Sequence, residues 1–422
     1  MKAFHYSNGT LHAEQVSLET IADEFDTPTF VYSRSAIVEA YQNFEKAFSG
    51  HDHLICYAVK ANSNLGVLGL LASLGAGFDI VSGGELHRVI EAGGEPEKIV
   101  FSGVGKQPWE INAALEAGIG CFNLESASEL NVLSELAVTL DKTARISVRV
   151  NPDVDPKTHP YIATGLKESK FGVSVDQALA IYQQAAQLAN IDVIGIDFHI
   201  GSQIVELSPF TDALTRILEL VDELERTGIT LSHIDVGGGI GITYQDEHPV
   251  DIAEYASCIL QILGNRPHRL LCEPGRLIVG NAGILLTRVT TIKQNVGKNF
   301  AVVDAAMNDL IRPALYQSWQ DIKCVKLSDP STAPPNSKKY DVVGPVCESS
   351  DFLARDRELS INEGDLLAIW SSGAYAFSMS SNYNSRNRAA EVIVVDESVF
   401  CVRKRETIAD QIRLESILPD RL

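Results

Sequence analysis

The chain has 422 residues, 45% of them hydrophobic, and carries 55 acidic against 35 basic side chains for a formal charge of −20. That length exceeds what one ordinary core serves, so two domains are expected, and a charged fraction of 21% without excess Gly or Pro excludes a disordered chain. No apolar run is long enough to span a bilayer, and so acidic a surface disfavours nucleic acid and membrane as partners.

The N-terminal segment reads as a hairpin. Phe4 to Ser7 and Thr10 to Ala13 flank Asn8-Gly9, a type I′ turn signal, and a helix is expected over Leu18 to Glu24. From about His53 strand-like apolar runs recur: Leu54–Val59, Phe78–Val81, Ile99–Phe101, Cys121–Leu124, Ile146–Val150, Val193–His199, Ile234–Val236 and Leu270–Cys272. Between them lie helical patterns at Gly84–Ala92, Glu110–Ala117, Ser128–Leu136, Asp176–Ala189, Pro209–Arg226 and Asp251–Leu263. Eight strands alternating with helices imply parallel units closing into a (β/α)8 TIM-like barrel. After about Gly280 the rhythm changes to strands with few helices: Ile284–Ile292, Phe300–Val303, Leu366–Trp370, and the hairpin Val392–Val395 with Val399–Val402. The expected fold is therefore α/β: a barrel over residues 31–280, and a C-terminal mostly-β domain over 281–422 completed by the N-terminal segment 1–30. The proline-bearing stretch Ser328 to Lys339 reads as a surface loop.

Active sites of such barrels lie at the C-terminal ends of the strands. The first strand ends at Lys60, the sixth at His199 followed by Gly201-Ser202-Gln203, the seventh runs into Gly237-Gly238-Gly239, and the eighth into Glu273-Pro274-Gly275-Arg276. Singly, each has a plain structural reading: an edge charge, a satisfied histidine, a tight turn. The glycine run is no dinucleotide fingerprint, because Ile242 stands where a third glycine is needed, and Gly103-Val-Gly105-Lys106 lacks the spacing of a P-loop. The ten histidines show no ligand spacing, so no metal is expected. Taken together the four ends suit one cofactor. Pyridoxal phosphate needs an amine for its aldehyde, which Lys60 offers, and close backbone approach for its phosphate, which the glycines permit. Glu273 suits its ring nitrogen, and His199 a flat partner over the ring.

These stretches are similar to those of the fold-type III pyridoxal-phosphate decarboxylases, and within that group to the diaminopimelate decarboxylases. The resemblance runs along nearly the whole chain. It rests on Tyr57-Ala-Val-Lys-Ala-Asn-Ser-Asn64, Gly77 to Leu86, Thr164 to Gly172, His199-Ile-Gly-Ser-Gln203, Glu273-Pro-Gly-Arg276, Met307 to Tyr316, Gly344 to Asp351 and Ser380 to Arg386. It implies the following roles. Lys60 bonds the cofactor's aldehyde, His199 stacks on its ring, Ser202, Gly237, Gly238, Gly239 and Gly275 surround its phosphate, and Glu273 pairs with its ring nitrogen. Arg276, Arg312 and Tyr316 hold the distal carboxylate of meso-diaminopimelate. Cys347 delivers the proton that replaces carbon dioxide, Glu348 binds the distal ammonium, and Tyr375 touches cofactor and substrate. It also implies a homodimer in which Cys347 and Glu348 reach the partner's site, and L-lysine as product.

The sequence departs from that pattern in one loop: Ser371 and Ser372 stand where an acid is usual before Tyr375, Ala376 follows it in place of glycine, and Asn387 replaces a proline. Rival readings are a decarboxylase of ornithine, arginine or carboxynorspermidine on the same fold, which would lack the Arg312 and Tyr316 pair, an alanine racemase, or a non-catalytic homologue, which would lose Lys60 or Cys347. Seven cysteines stand singly, without a Cys-x-x-Cys pair, which argues against a disulfide framework. With no basic-then-apolar run in Met1 to Thr10, the expected location is the cytoplasm.

Overall fold

The computed structural model describes residues 3–155, 169–327 and 337–418. The chain divides into two compact units, Ile37–Val279 on one side and Met1–Ala36 with Gly280–Leu422 on the other.

The first unit is a closed barrel. Its strands, in chain order, are His53–Ala58, Gly77–Ile80, Ile99–Phe101, Cys121–Leu124, Ala144–Arg149, Ile191–Asp197, His233–Asp235 and Arg269–Cys272. Each pairs in parallel with its neighbour, and the eighth closes on the first with Leu270 opposite His53. Strands enclosed on both faces carry near-continuous apolar sequence, which is why they were legible as short runs. Several of the helices between them start at side-chain caps. Ser82 accepts from Glu85 N–H, Ser126 from Glu129, Ser174 from Gln177 and Asp251 from Glu254. Two further helices, Arg34–Ala47 and Leu65–Ser73, the latter capped by Asn64, lie either side of the first strand in the chain. The barrel interior is not uniformly apolar. Towards the strands' C-terminal ends Asp79, Asn123, Ser147, Asp197 and Asp235 are all buried.

The second unit is built on a nine-stranded sheet. Its centre is a long strand, Gly283–Asn295, which pairs with Lys298–Val303, with Leu366–Ile369 and with Thr29–Ser33. Thr29–Ser33 in turn pairs in parallel with Ala390–Val395, so the N-terminal segment contributes an interior strand. The small sheet of Phe4–Ser7, Thr10–Ala13 and Val16–Ser17 closes one face. Leu11, Ala13 and Val16 pack there with Val31, Ile284, Leu286, Val392 and Val394 in one core. Its turn has Asn8 at φ 48° and Gly9 at φ 80°, the conformation that Asn-Gly favours. Ile322–Cys324, Lys338–Val343 and Phe352–Leu359 add strands that carry charged residues on exposed positions. Lys338 and Lys339 thus open a strand and do not end a loop. Of the stretch expected as a loop, 328–336 lies outside the described residues. Among the described residues no helix is long and apolar enough to cross a membrane.

Candidate active site

The four strand ends singled out in the sequence converge on one rim of the barrel. Lys60 sits in a single helical turn, Val59–Ala61, directly after the first strand. Its Nζ donates to Asp79 Oδ2 on the second strand at 2.6 Å, and Asp79 is wholly buried. Sequence reasoning missed Asp79, although it lies within the Gly77 to Leu86 stretch, because a single acid in a four-residue strand carries no pattern of its own.

His199 lies two residues past the sixth strand. Its Nδ1 accepts from the N–H of Gly238 at 3.2 Å, so the ring's proton belongs on Nε2. Burial, with Arg149 and Lys60 nearby, pushes its pKa well below the usual histidine range, so the ring is neutral. Gly237 has φ 64° and Gly239 φ 107°, backbone that favours glycine. A Cβ on Gly238 would stand 2.1 Å from the carbonyl oxygen of Glu273, and one on Gly239 2.3 Å from that of Gly201, so the loop lies flat on its neighbours. Gly275 is similarly confined, its Cβ position 3.0 Å from the side chains of Ala58 and Ala61.

Arg276 is buried and donates to Ser202 Oγ at 3.0 Å and to the Tyr244 hydroxyl at 2.5 Å. Tyr244, which follows the glycine loop, is the second residue that sequence reading overlooked. One guanidinium with two hydroxyls suits an oxyanion.

Glu273 is buried at the start of the turn after the eighth strand and receives Ser102 Oγ at 3.5 Å. That serine ends a chain of side-chain bonds across the barrel: Ser147 Oγ donates to Asn123 Oδ1 at 2.9 Å, and Asn123 Nδ2 to Ser102 Oγ at 3.1 Å. Burial raises the Glu273 pKa well above the carboxylate range, the neighbouring acids Asp235, Asp79 and Asp197 raise it further, and Lys60 opposes them. Asp197, Asp235 and Glu273 each place one oxygen within 4.8 Å of the others. A test for metals based on histidine spacing cannot see such an all-carboxylate set, assembled from three strand ends. Arg149 lies close to this cluster, its Nε 3.9 Å from Asp197 Oδ2 and its NH1 3.2 Å from Glu125.

The residues present fit pyridoxal phosphate. An amine faces the rim at Lys60. A buried acid with surplus negative charge around it suits a protonated ring nitrogen, and a flat glycine loop beside Ser202 and Arg276 suits a phosphate.

The remaining residues lie in the second unit. Arg312 opens the short helix Arg312–Tyr316, is buried, and has its guanidinium 5.3 Å from the centre of the Tyr316 ring. Cys347 and Glu348 are exposed. Their loop is held by its backbone: Asp351 accepts from Met307 N–H at 2.7 Å and Val346 N–H at 2.8 Å, while Cys347 N–H donates to Asn384 Oδ1 at 2.7 Å. The Tyr383 hydroxyl lies 3.4 Å from Glu348 Oε2. Arg386 donates to Asn308 Oδ1 at 3.1 Å, so the Met307, Gly344 and Ser380 stretches are brought together. Tyr375 is half-buried at φ 54°. Of the departures, Ser371 donates to Asn281 at 2.8 Å, Ser372 to the Ile369 carbonyl at 3.0 Å, and Asn387 accepts from Gln411 at 2.6 Å. All three are therefore absorbed in local structure. Thr164 to Glu168 of the third resembling stretch lie outside the described residues; Gly172 N–H donates to Glu125 at 2.6 Å.

Residues 34–280 match the family model of the pyridoxal-dependent decarboxylases, pyridoxal binding domain. The chain is 56% identical to diaminopimelate decarboxylase of Pseudomonas fluorescens over 100% of both. The chain belongs to the diaminopimelate decarboxylase family. Solved structures agree. The Helicobacter pylori diaminopimelate decarboxylase complexed with L-lysine is 44% identical with a TM-score of 0.91, covering 94% of this chain and 99% of that one. The M. jannaschii enzyme in co-complex with L-lysine is 37% identical with a TM-score of 0.94, covering 100% and 99%.

Proposed function

We propose that the chain decarboxylates meso-2,6-diaminopimelate to L-lysine and carbon dioxide with pyridoxal phosphate as cofactor. The observation that carries this reading is the gathering of Lys60, His199, Glu273 and Arg276 on one barrel rim in a chain related end to end to diaminopimelate decarboxylases. When bound, the cofactor supplies an aldehyde for covalent capture and a protonated ring that draws off the electron pair left by carbon dioxide. Lys60 anchors it, with Asp79 orienting the Lys60 amine. Neutral His199 lies over its ring without adding a competing charge. Ser202, Arg276 and the Gly237 to Gly239 loop take its phosphate, and Glu273 faces its ring nitrogen.

Substrate selection falls to the second unit. Arg312 and Tyr316 take the distal carboxylate together with Arg276, and Glu348 takes the distal ammonium. Cys347 Sγ hands its proton to the carbon that lost carbon dioxide. Tyr375 completes the contacts. Cys347 and Glu348 are exposed in the single chain, which supports a homodimer in which each subunit lends them to its partner. Seven free cysteines favour the reducing cytoplasm.

The test is direct. Purified protein should absorb in the visible and release L-lysine from meso-diaminopimelate. Turnover of L-ornithine or L-arginine with none of diaminopimelate would reject the substrate.

A further inference from the structure

Asp235 has no part in the roles above, yet it lies between two of their elements. It ends the seventh strand and is fully buried. Its Oδ1 accepts the N–H of Gly237 at 2.9 Å, the residue that opens the glycine loop. Glu273 N–H in turn donates to the Gly237 carbonyl at 2.7 Å. The other carboxyl oxygen, Oδ2, is buried with no hydrogen-bond partner, and Asp235 and Glu273 each place an oxygen within 4.8 Å of the other. Two ionised carboxylates repel strongly at that range in a buried site, so the pair favours retaining a proton.

The groups around Asp235 make that retention stronger. Asp197 faces it from the sixth strand, Asp79 from the second, Glu273 and Cys272 from the eighth, and Cys56 and Cys121 from the first and fourth. Against these acids stands Arg149 of the fifth strand, which is already engaged with Glu125. Burial first, then Asp79, pushes the Asp235 pKa up to about 7, and Glu273 is displaced in the same direction.

We propose that Asp235 is a positioning residue for the reaction: the Asp235 and Glu273 pair keeps one proton, which resides on Asp235 Oδ2 when Glu273 faces the cationic ring nitrogen of the cofactor. Asp235 then acts as a neutral acid. It donates to one Glu273 oxygen, leaving the other oxygen and the full negative charge for the ring, while its Oδ1 fixes the start of the glycine loop. One side chain thereby registers ring and phosphate against each other. The proposal rests on the cofactor reading given above.

An asparagine can imitate this neutral acid, since Nδ2 donates where Oδ2–H did and Oδ1 still accepts from Gly237. An alanine cannot, and leaves Glu273 with Ser102 as its side-chain donor. Turnover should fall roughly tenfold to hundredfold in Asp235→Ala, the loss of a hydrogen bond to a buried charge, and Asp235→Asn should recover most of it. The wild type should also lose activity on the alkaline side as the shared proton departs, and Asp235→Asn should lack that limb. Infrared spectra of the full-length protein, with and without cofactor, give a readout independent of substrate. At neutral pH the wild type should show a protonated-carboxyl band that Asp235→Asn diminishes. The proposal is overturned if that band is unchanged in Asp235→Asn, or if the asparagine variant falls as far as the alanine variant. Should wild type fail on diaminopimelate while the band behaves as expected, the substrate reading fails and the proton assignment stands.

Discussion

The barrel rim and the Cys347 loop hold their functional groups by opposite means. On the rim, the groups order one another: Lys60 is fixed by Asp79, His199 by Gly238, Arg276 by Ser202 and Tyr244, Glu273 by Ser102. Glu273, Arg276 and Asp79 are buried and Lys60 and His199 half-buried, so charge and hydrogen bonding are strong and costly to disturb. In the loop, the backbone carries the order. Asp351 and Asn384 bind main-chain N–H groups, while the Cys347 and Glu348 side chains are exposed. A preorganised cofactor grip and an exposed thiol and carboxylate fit the proposal of a site completed by a second subunit. The rim would then be self-sufficient for cofactor, and the loop useless without a partner.

The sharpest way to break this comparison is to damage each region separately. Lys60→Ala should abolish the borohydride-fixable cofactor label as well as turnover. Cys347→Ala should keep the label and lose about 10²- to 10⁴-fold in turnover, the span for a positioned proton-transfer group. Mixed under conditions that exchange subunits, the two inactive proteins form hybrids in about half of the dimers. In each hybrid one site has both lesions and the other neither, so about a quarter of wild-type activity should return. Verified exchange without recovery would mean that Cys347 acts within its own chain or is not the donor.

A smaller effect separates substrate from cofactor. Arg312→Ala removes charge-assisted bonds on the order of 1.5–3 kcal/mol each, so kcat/KM for meso-diaminopimelate should fall about tenfold to a hundredfold or more. Cofactor affinity, measured by titrating the apo-protein, should hold. Equal losses in both would place Arg312 with the cofactor.

The same contrast explains what the sequence disclosed. All eight barrel strands were legible because enclosed parallel strands are short apolar runs between capped helices, and the rim residues that follow them come in distinctive strings such as Glu273-Pro-Gly-Arg276. Thr29–Ser33 was not, since a strand contributed to the centre of a distant sheet looks locally like a linker. A boundary near residue 30 runs through it, whereas the units divide at Ala36 and Ile37. Phe352–Leu359 was hidden by its charged residues, at home on the edge of a sheet. Asp79, Asp197 and Asp235 were hidden for another reason. An acid in a strand ordinarily marks the solvent face, and only closure of the barrel turns all three inward.

That inward acid cluster leads to the subtlest expected effect, on stability. His199 and His233 are neutral when folded and His268 is displaced the same way, so they oppose folding only below the ordinary histidine pKa of 6.5. Above it, the acids with raised pKa decide the slope. Their folded forms keep protons that the unfolded chain has released, so stability must fall as pH rises. Asp309, in the second unit, is raised by burial to about 7 and is spent by about pH 8. Asp197 and Glu273 are displaced well upward too, by burial and by the neighbouring acids. Above about pH 8, where Asp309 no longer contributes, the apo-protein should keep losing stability, by at most about 1.4 kcal/mol per pH unit for each acid still holding its proton. Asp197→Asn should flatten that decline in denaturant titrations, and Asp309→Asn should leave its slope unchanged. If Asp309→Asn flattened it instead, the proton uptake would belong to the second unit, and the barrel rim would not be the crowded acid cluster that its geometry describes.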